Sequence, residues 1–280
     1  MRALFLIPGD AVAQLRVLPA AAAVARGLAF QLQVACHPGA ASVWKLLPEV
    51  EKLIPFSFEE ASLADWANLL GSVREPDFQV CINLAQGRQV DLMLSMSHIP
   101  TRIASGGFSA TEKLSLPATG WQAQSLAPWL QAIGVGLDAD AFRLSLPRPL
   151  LDEAAAALPA GEGPLLLLAP AGVPGDWPES LWQELPAQIR SRLPALRCHS
   201  LSPGKTANLP QLAARVALSD VVLASDPLIE ELALYCGVPM VALGRSQDSL
   251  PSRDGVQGLT AAAGLSAVSI EQVLAALGLG

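Results

Sequence analysis

Two carboxylates, Asp10 and Asp226, each follow an apolar run that is typical of a buried strand. Asp10 is the last residue of the turn after residues 3–7, and Asp226 follows residues 220–224 and Ser225 in the sequence. A carboxylate in such a turn can take a proton from a ligand hydroxyl. It can also accept hydrogen bonds from the free N–H groups of a helix that begins there. For Asp10 the helix cap is the favoured interpretation, whereas for Asp226 ligand binding and capping both stay open.

Residues 219–244 predict a strand, a helix and a second strand in succession. The first apolar run suits a strand that is buried on both faces. The Ser-Asp pair behind it can cap a helix that has Pro227 at its first position. Gly237 ends this helix, and the apolar run 238–243 follows and is closed by Gly244. The segment is therefore predicted to be a βαβ unit, which requires a parallel sheet with helices on its faces.

Strand and helix patterns alternate along the rest of the chain, which predicts a doubly wound α/β fold. The remaining predicted strands are residues 3–7, 29–36, 52–58, 78–84, 101–104, 165–169 and 196–201. The predicted helices are residues 11–26, 41–47, one that begins at Ser62, 88–95, 121–133, 179–192, 209–217 and 269–277. Prolines and glycines in residues 149–163 indicate a linker, so we expect domains at residues 1–148 and 164–280.

The composition of the chain indicates which partners and which cellular compartment are expected. The chain has 280 residues, of which 51% are hydrophobic and 15% are charged, with a net charge of −7. An acidic chain without a cluster of Lys and Arg is not expected to bind nucleic acid. Its four cysteines form no CxxC pair, which favours buried free thiols in a reducing compartment. The apolar runs are shorter than a signal peptide or a membrane span needs. A soluble, cytoplasmic protein is expected, and peripheral contact with a membrane stays open.

Several kinds of site are not predicted. The three histidines are scattered without metal-ligand spacing, so we expect no metal and no cofactor. The nucleophile elbow of the α/β-hydrolases and the glycine fingerprint for dinucleotides are both missing. The turn around Lys205 lacks the first glycine of a P-loop and is interpreted as an ordinary polar turn. The six tryptophans lie among apolar neighbours, which favours core packing over a surface for stacking sugars.

Four segments resemble glycosyltransferase family 9, the heptosyltransferase-like enzymes of cell-envelope synthesis. Residues 219–244 are similar to the family signature at Ser225, Asp226, Leu232, Ala233, Pro239, Ala242, Leu243 and Gly244. Other signature positions hold Pro227, Leu228, Ile229 and Glu231. The other three segments occur in the family's order at residues 1–20, 99–103 and 176–182. The resemblance implies the GT-B fold, in which two Rossmann-like α/β domains face each other across a cleft. The acceptor would bind the N-terminal domain and the nucleotide sugar the C-terminal one.

The resemblance also implies an activity and a site. The activity is inverting, metal-independent transfer of a sugar from a nucleoside-diphosphate sugar to an envelope glycan or similar acceptor. Without a gap, the position of the family's catalytic base falls on Ala13, so Asp10 could serve only if the turn is shortened. The family's phosphate-facing lysine falls on Gly175.

The nucleotide-sugar site would comprise Ser225, Asp226, Glu231, Gly244 and Arg245. Glu231 replaces the family histidine, and its carboxylate would repel a diphosphate. Arg245 could restore positive charge or be a solvated loop residue.

Two functions therefore stay open. One is a family 9 transferase with Asp10 as its base. The other is a catalytically inactive GT-B-like protein that works as a binding or scaffolding partner in a protein complex. The positions of Asp10 and Ala13 distinguish them, because a carboxylate can take the acceptor proton and a methyl group cannot.

Overall fold

Two separate parallel β-sheets organise the chain. The computed structural model describes residues 1–74, 77–202 and 208–279. The chain divides into two units, Met1–Phe142 and Arg143–Gly280. The predicted linker, residues 149–163, is grouped with the second unit. The domain limits given above remain a prediction.

The first unit is built on a six-stranded parallel sheet. Its strands are β1 (Arg2–Ile7), β2 (Gln31–Cys36), β3 (Val50–Pro55), β4 (Phe78–Asn83), β5 (Thr101–Ala104) and β6 (Glu112–Lys113). Its helices are α1 (Ala11–Leu28), α2 (Leu63–Arg74), α3 (Arg88–Met96) and α4 (Ala127–Gln131), with 3₁₀ turns at Pro38–Leu46 and Gln122–Gln124. The strand order is β3-β2-β1-β4-β5-β6. This order reverses direction between β1 and β4, and ligands of such sheets bind at the carboxyl ends of the strands beside that point.

The second unit has a five-stranded parallel sheet. Its strands are β7 (Leu165–Ala169), β8 (Arg197–Ser200), β9 (Val221–Ala224), β10 (Met240–Leu243) and β11 (Val256–Leu259). Its helices are α5 (Arg148–Ala156), α6 (Glu179–Arg192), α7 (Leu209–Ala217), α8 (Pro227–Cys236) and α9 (Ile270–Ala276), with 3₁₀ turns at Gln247–Ser249 and Leu265–Ala267. The order β11-β10-β9-β7-β8 reverses between β7 and β9. The exits of these two strands are therefore the expected ligand edge of this unit.

The predicted βαβ unit is confirmed as β9, α8 and β10. β9 and β10 pair in parallel, and Asp226 is the N-cap of α8. Gly237 ends the helix with φ +74°, a left-handed conformation that glycine adopts without a steric penalty. The short apolar runs of β9 and β10 are buried because α8 and its neighbours cover the sheet.

Three predicted elements differ from the structure. The helix predicted at residues 41–47 is a 3₁₀ turn over Pro38–Leu46. The strand predicted at residues 52–58 is β3, which ends at Pro55. Phe56 and Phe58 leave the sheet to pack edge-on against Trp66, with ring centroids 4.7 and 6.2 Å from it. The helix predicted at residues 121–133 is a 3₁₀ turn followed by the short α4, because Pro128 has no N–H to continue a helix from residue 121.

Helix α1 is long and apolar enough to cross a membrane. Its 18 residues have a mean hydropathy of 1.2, and 56% of the helix is buried inside the protein. The core helix of a soluble protein has the same properties, so the length and composition of α1 are weak indicators of a membrane span. Its apolar face packs against β1 and β2, which fits a core helix. The cytoplasmic location remains a prediction.

Trp177 and Trp182 anchor the core of the second unit. Their rings meet edge to face with centroids 5.1 Å apart. The indole Nε1 of Trp177 donates a 2.8 Å hydrogen bond to the carbonyl oxygen of Val268. Trp44 and Trp129 are buried as well, which confirms the prediction that tryptophans serve core packing.

Candidate ligand-binding site

Asp10 caps helix α1. Its Oδ1 accepts a 3.0 Å hydrogen bond from the backbone N–H of Ala13. This is the interpretation that the sequence favoured. Asp10 is also exposed and lies at the wall of a 310 Å³ pocket, together with His37, Glu59 and Glu60. A role for Asp10 as a base remains a prediction.

Ala13 lines a different pocket of the first unit. This pocket has a volume of about 310 Å³ and lies beside Leu84, at the exit of β4. Among the described residues in its wall, Arg16 is the one that carries a charge. Because the Ala13 methyl group cannot accept a proton, helix α1 contributes no base to this pocket.

At the edge of the second sheet, a serine links the two strands that flank the reversal point. The Oγ of Ser225, which follows β9, accepts a 2.9 Å hydrogen bond from the N–H of Ala171, which follows β7. Asp226 Oδ1 then accepts a 2.9 Å hydrogen bond from the N–H of Leu228 in the first turn of α8. Capping by Asp226 is thus observed, and its contact with a sugar remains a prediction.

Asp176 accepts hydrogen bonds from backbone N–H groups of the loop after β7. Its Oδ2 accepts from the N–H of Gly172 at 2.8 Å, and its Oδ1 accepts from the N–H of Trp177 at 2.7 Å. Burial raises the pKa of Asp226, and the charge of Asp176 raises it further, although the hydrogen bonds from Leu228 and Ile229 act in the opposite direction. The edge of this sheet therefore carries two carboxylates that hold backbone N–H groups.

The guanidinium of Arg245 lies between two buried glutamates. Its Nη1 lies 3.3 Å from Oε2 of Glu230 and 3.1 Å from Oε1 of Glu231, and the exposed fractions of the three side chains are 12%, 4% and 0%. Its Nη2 donates to the carbonyl oxygen of Ser249 at 2.9 Å. The alternative of a solvated loop residue is wrong, because the ion pairs hold the guanidinium inside the fold. The charge of Arg245 is balanced by these carboxylates, so this geometry does not favour a role in binding a diphosphate.

Glu231 and Gly244 have structural roles in this cluster. Glu231 Oε2 accepts a 3.2 Å hydrogen bond from the hydroxyl of Tyr235, one turn along α8. Gly244 adopts φ +85° directly after β10, and a Cβ there would lie 3.2 Å from Leu265. The glycine thus allows the sharp turn that brings Arg245 back to α8. Ligand contacts of Glu231 and Gly244 remain predictions.

The glutamate–arginine cluster predicts a pH dependence of stability. Burial raises the pKa of Glu230 to about 7, although Arg245 lowers it; Glu231 and Asp226 raise it further. Because the folded state holds this proton more tightly than the unfolded chain, the stabilisation is complete below about pH 4.5 and is lost as the pH rises through about 7. The loss is expected to be about 3 kcal/mol. Urea denaturation of wild type and Glu230→Gln at about pH 5, 7 and 9 measures it as the difference between the two proteins. Parallel stability profiles for both proteins would contradict this assignment.

A larger cavity lies in the second unit, between the exits of β7 and β8 and helix α6. Its volume is about 930 Å³. Gly175, the position that the resemblance aligns with a lysine, lies in its wall. Lys205 falls outside the described residues. Glu179 and Arg190 also line the cavity, although the sequence did not single them out as site residues. Their helical spacing with Trp182 on α6 was the signal that could have placed them on one face.

Comparison with known proteins gives results at the level of structure. No protein-family model matches the chain, and no curated protein sequence matches it. The structure of a family 9 glycosyl transferase from Veillonella parvula is similar, with a TM-score of 0.78, 15% identity, and 99% of this chain and 96% of that chain covered. The structure of E. coli ADP-heptose lps heptosyltransferase II is similar as well, with a TM-score of 0.74 and 17% identity, and 99% of this chain and 98% of that chain are covered. The structure of E. coli heptosyltransferase WaaC with ADP-2-deoxy-2-fluoro heptose has a TM-score of 0.71 and 14% identity, with 99% of both chains covered.

The chain has the fold of the family 9 glycosyltransferases. The resemblance found in the sequence and the GT-B fold that it implied are both confirmed. At these identities the likeness establishes the fold. Within this family 9 fold, the signature residues Ser225 and Asp226 lie at the reversal point of the second sheet. Asp10 lies directly after the central strand of the first sheet.

Proposed function

We propose that this chain is a glycosyltransferase-like binding protein that works in a protein complex and does not transfer sugars by the family 9 mechanism. The hydrogen bond between Asp10 Oδ1 and the Ala13 N–H, at 3.0 Å, carries this proposal. It gives the Asp10 carboxylate a structural role as the cap of α1, and in an ungapped alignment the position of the family base falls on Ala13. Inverting transfer needs a base for the acceptor hydroxyl, and such a base contributes roughly a 10²- to 10⁴-fold rate increase.

The second unit supports the same conclusion. A departing diphosphate needs positive charge or free N–H groups. Arg245 is paired with Glu230 and Glu231, and the N–H groups of Gly172 and Leu228 are bonded to side chains of this chain.

The second candidate is an inverting, metal-independent transferase. It would pass a sugar from a nucleoside-diphosphate sugar, bound near Ser225, Asp226 and Arg245, to an envelope glycan or similar acceptor. One observation favours it, namely that Asp10 is exposed at the wall of a pocket although its Oδ1 caps α1.

A donor-consumption assay separates the two candidates. Wild type and Asp10→Asn are incubated with ADP-heptose, UDP-glucose or GDP-mannose and a heptose-free lipopolysaccharide core, and release of the nucleoside diphosphate is measured. Asparagine caps helices as well as aspartate does, so the variant keeps its fold and loses only the base. We expect no release above background from either protein. Release by wild type would overturn the proposal, and a loss of about 100-fold or more in Asp10→Asn would then identify Asp10 as the base.

A further inference from the structure

Strand β8 forms an outer edge of the second sheet. The strand order places it beyond β7, and among the described residues no strand pairs with its outer side. In the first sheet the second strand, β2, is covered by β3. An edge strand presents backbone N–H and C=O groups that can pair with another chain. The second sheet therefore has room for one more strand beside β8.

The hydrogen-bond register shows which groups of β8 face outward. The N–H groups of Arg197 and of Leu201, which follows the strand, donate to carbonyl oxygens on the β7 side at 2.9 and 2.8 Å. Backbone groups alternate in direction along a parallel strand. Cys198 and Ser200 therefore direct their N–H and C=O groups to the open side, where an added strand would find them.

The other three edge strands of the described chain have features that prevent such pairing. Strand β3 carries Lys52 and ends at Pro55, and β6 is only two residues long. The side chain of Gln247 covers β11, because its Nε2 donates to the Val256 carbonyl oxygen at 3.3 Å and its Oε1 accepts from the Gly258 N–H at 2.9 Å. Strand β8 contains no proline or lysine, and within the described residues no side chain bonds to its outward backbone groups.

The charge around this edge is positive. Residues 185–219, which run from within α6 through β8 and past α7, contain no Asp or Glu, although the chain as a whole has 25 acidic residues against 18 Lys and Arg. Burial raises the pKa of Cys198, and the charge of Arg190 on α6 acts in the opposite direction. Burial lowers the pKa of His199, and the charge of Arg215 on α7 lowers it further. Successive side chains of a strand point to opposite faces, so an arginine lies near the edge on each face of the sheet.

These two arginines have no carboxylate of their own. In the described part of the chain, neither Arg190 nor Arg215 makes an ion pair. Arg190 is exposed and Arg215 is half-buried. A second copy of β8 would bring the same positive charges against them, whereas an acidic segment would bring the opposite charge. A nucleic acid could match the charge but has no peptide backbone that would extend the sheet.

We propose that the β8 edge, Arg197–Ser200, accepts an extended acidic segment of a partner protein as an added strand of the second sheet. The backbone of this segment bonds to the outward groups of Cys198 and Ser200, and its carboxylates lie near Arg190 and Arg215. The inference rests on the role in a protein complex proposed above and specifies how the partner is held.

A labelled peptide of about eight alternating threonine and glutamate residues tests the proposal on the full chain. Fluorescence anisotropy compares it with the same peptide carrying methylated backbone nitrogens and with a peptide that has lysine in place of glutamate. We expect the acidic peptide to bind and each change to weaken its affinity at least about ten-fold. Equal binding of the methylated peptide, no binding of the acidic peptide at millimolar concentration, or tighter binding of a single-stranded oligonucleotide would overturn the proposal.

Three variants assign the binding to the β8 edge. Ser200→Pro removes an outward N–H and no bond to β7, so it should weaken peptide binding at least about ten-fold. Arg190→Gln should weaken binding about three-fold. Arg192→Gln is the matched control, because Arg192 lies two residues further along α6 and donates to the carbonyl oxygen of Leu279. An unchanged affinity of Ser200→Pro, or equal losses for the two arginine variants, would overturn the site; if Ser200→Pro does not fold, the methylated peptide decides the same point.

Two further measurements separate this inference from its alternatives. Analytical ultracentrifugation of wild type and Ser200→Pro is expected to give the same mass for both. A wild-type dimer that Ser200→Pro abolishes would overturn the proposal, because it would assign the edge to a second copy of this chain. Release of a nucleoside diphosphate in the donor assay would overturn the proposed function, whereas the peptide titrations judge the β8 edge independently of that result.

Discussion

Replacement of Arg245 by methionine is expected to lower the free energy of unfolding by about 3–5 kcal/mol at pH 8. The guanidinium lies between Glu230 and Glu231, which are 4% and 0% exposed. Without it, two carboxylates would stay inside the fold with no opposite charge beside them. Since Glu230 binds a proton as the pH falls below about 7, the loss should be smaller at pH 5. Urea denaturation followed by circular dichroism at both pH values measures the effect.

An exposed ion pair offers the matched control. Arg148 and Asp152 lie 3.0 Å apart one turn along α5, with 85% and 62% of their side chains exposed. Arg148→Met should therefore cost no more than about 0.5 kcal/mol. In the Arg245→Met protein, Glu231→Gln should restore part of the lost stability because it removes one unpaired charge. A loss below about 1 kcal/mol for Arg245→Met would mean that the guanidinium is not needed for folding. It would then be available to a ligand, as the transferase candidate requires.

The elements of the fold could be predicted where their signals are local. Helices α6 and α7 begin and end at the predicted residues, and the caps of α8 lie where Asp226 and Gly237 stand in the sequence. Such patterns depend on spacing along the chain and on the hydrogen-bonding capacity of single residues. Strands β6 and β11 were missed because they are short edge strands without a continuous apolar run.

The candidate site was predictable only where its contacts join residues that are close together in the sequence. Capping by Asp10 is a contact between neighbours three residues apart, so the sequence could favour it. The ion pairs of Arg245 join the exit of β10 to residues 14 and 15 positions earlier on α8, and Asp176 turns back on its own loop. These contacts depend on how strands and helices pack, which periodicity does not encode. The large cavity beside α6 could not be predicted from periodicity either, because its wall combines residues from three elements.

Replacement of Trp177 by alanine is expected to cost about 3–5 kcal/mol of the free energy of unfolding. The side chain is 2% exposed, packs edge-on against Trp182 and donates to Val268. Alanine would remove the ring contact and leave a void beneath the candidate cavity, and it would also leave the Val268 carbonyl without its donor. Trp177→Phe keeps most of the ring and loses the donor, so it should cost about 1–3 kcal/mol. Urea denaturation of both variants measures these values.

The matched substitution in the first unit is Trp66→Ala. Trp66 is only partly buried and makes its ring contacts with Phe56 and Phe58 at the margin of that core, so its loss should cost less than that of Trp177. If Trp177→Ala costs no more than Trp66→Ala, Trp177 is not the anchor of the second core.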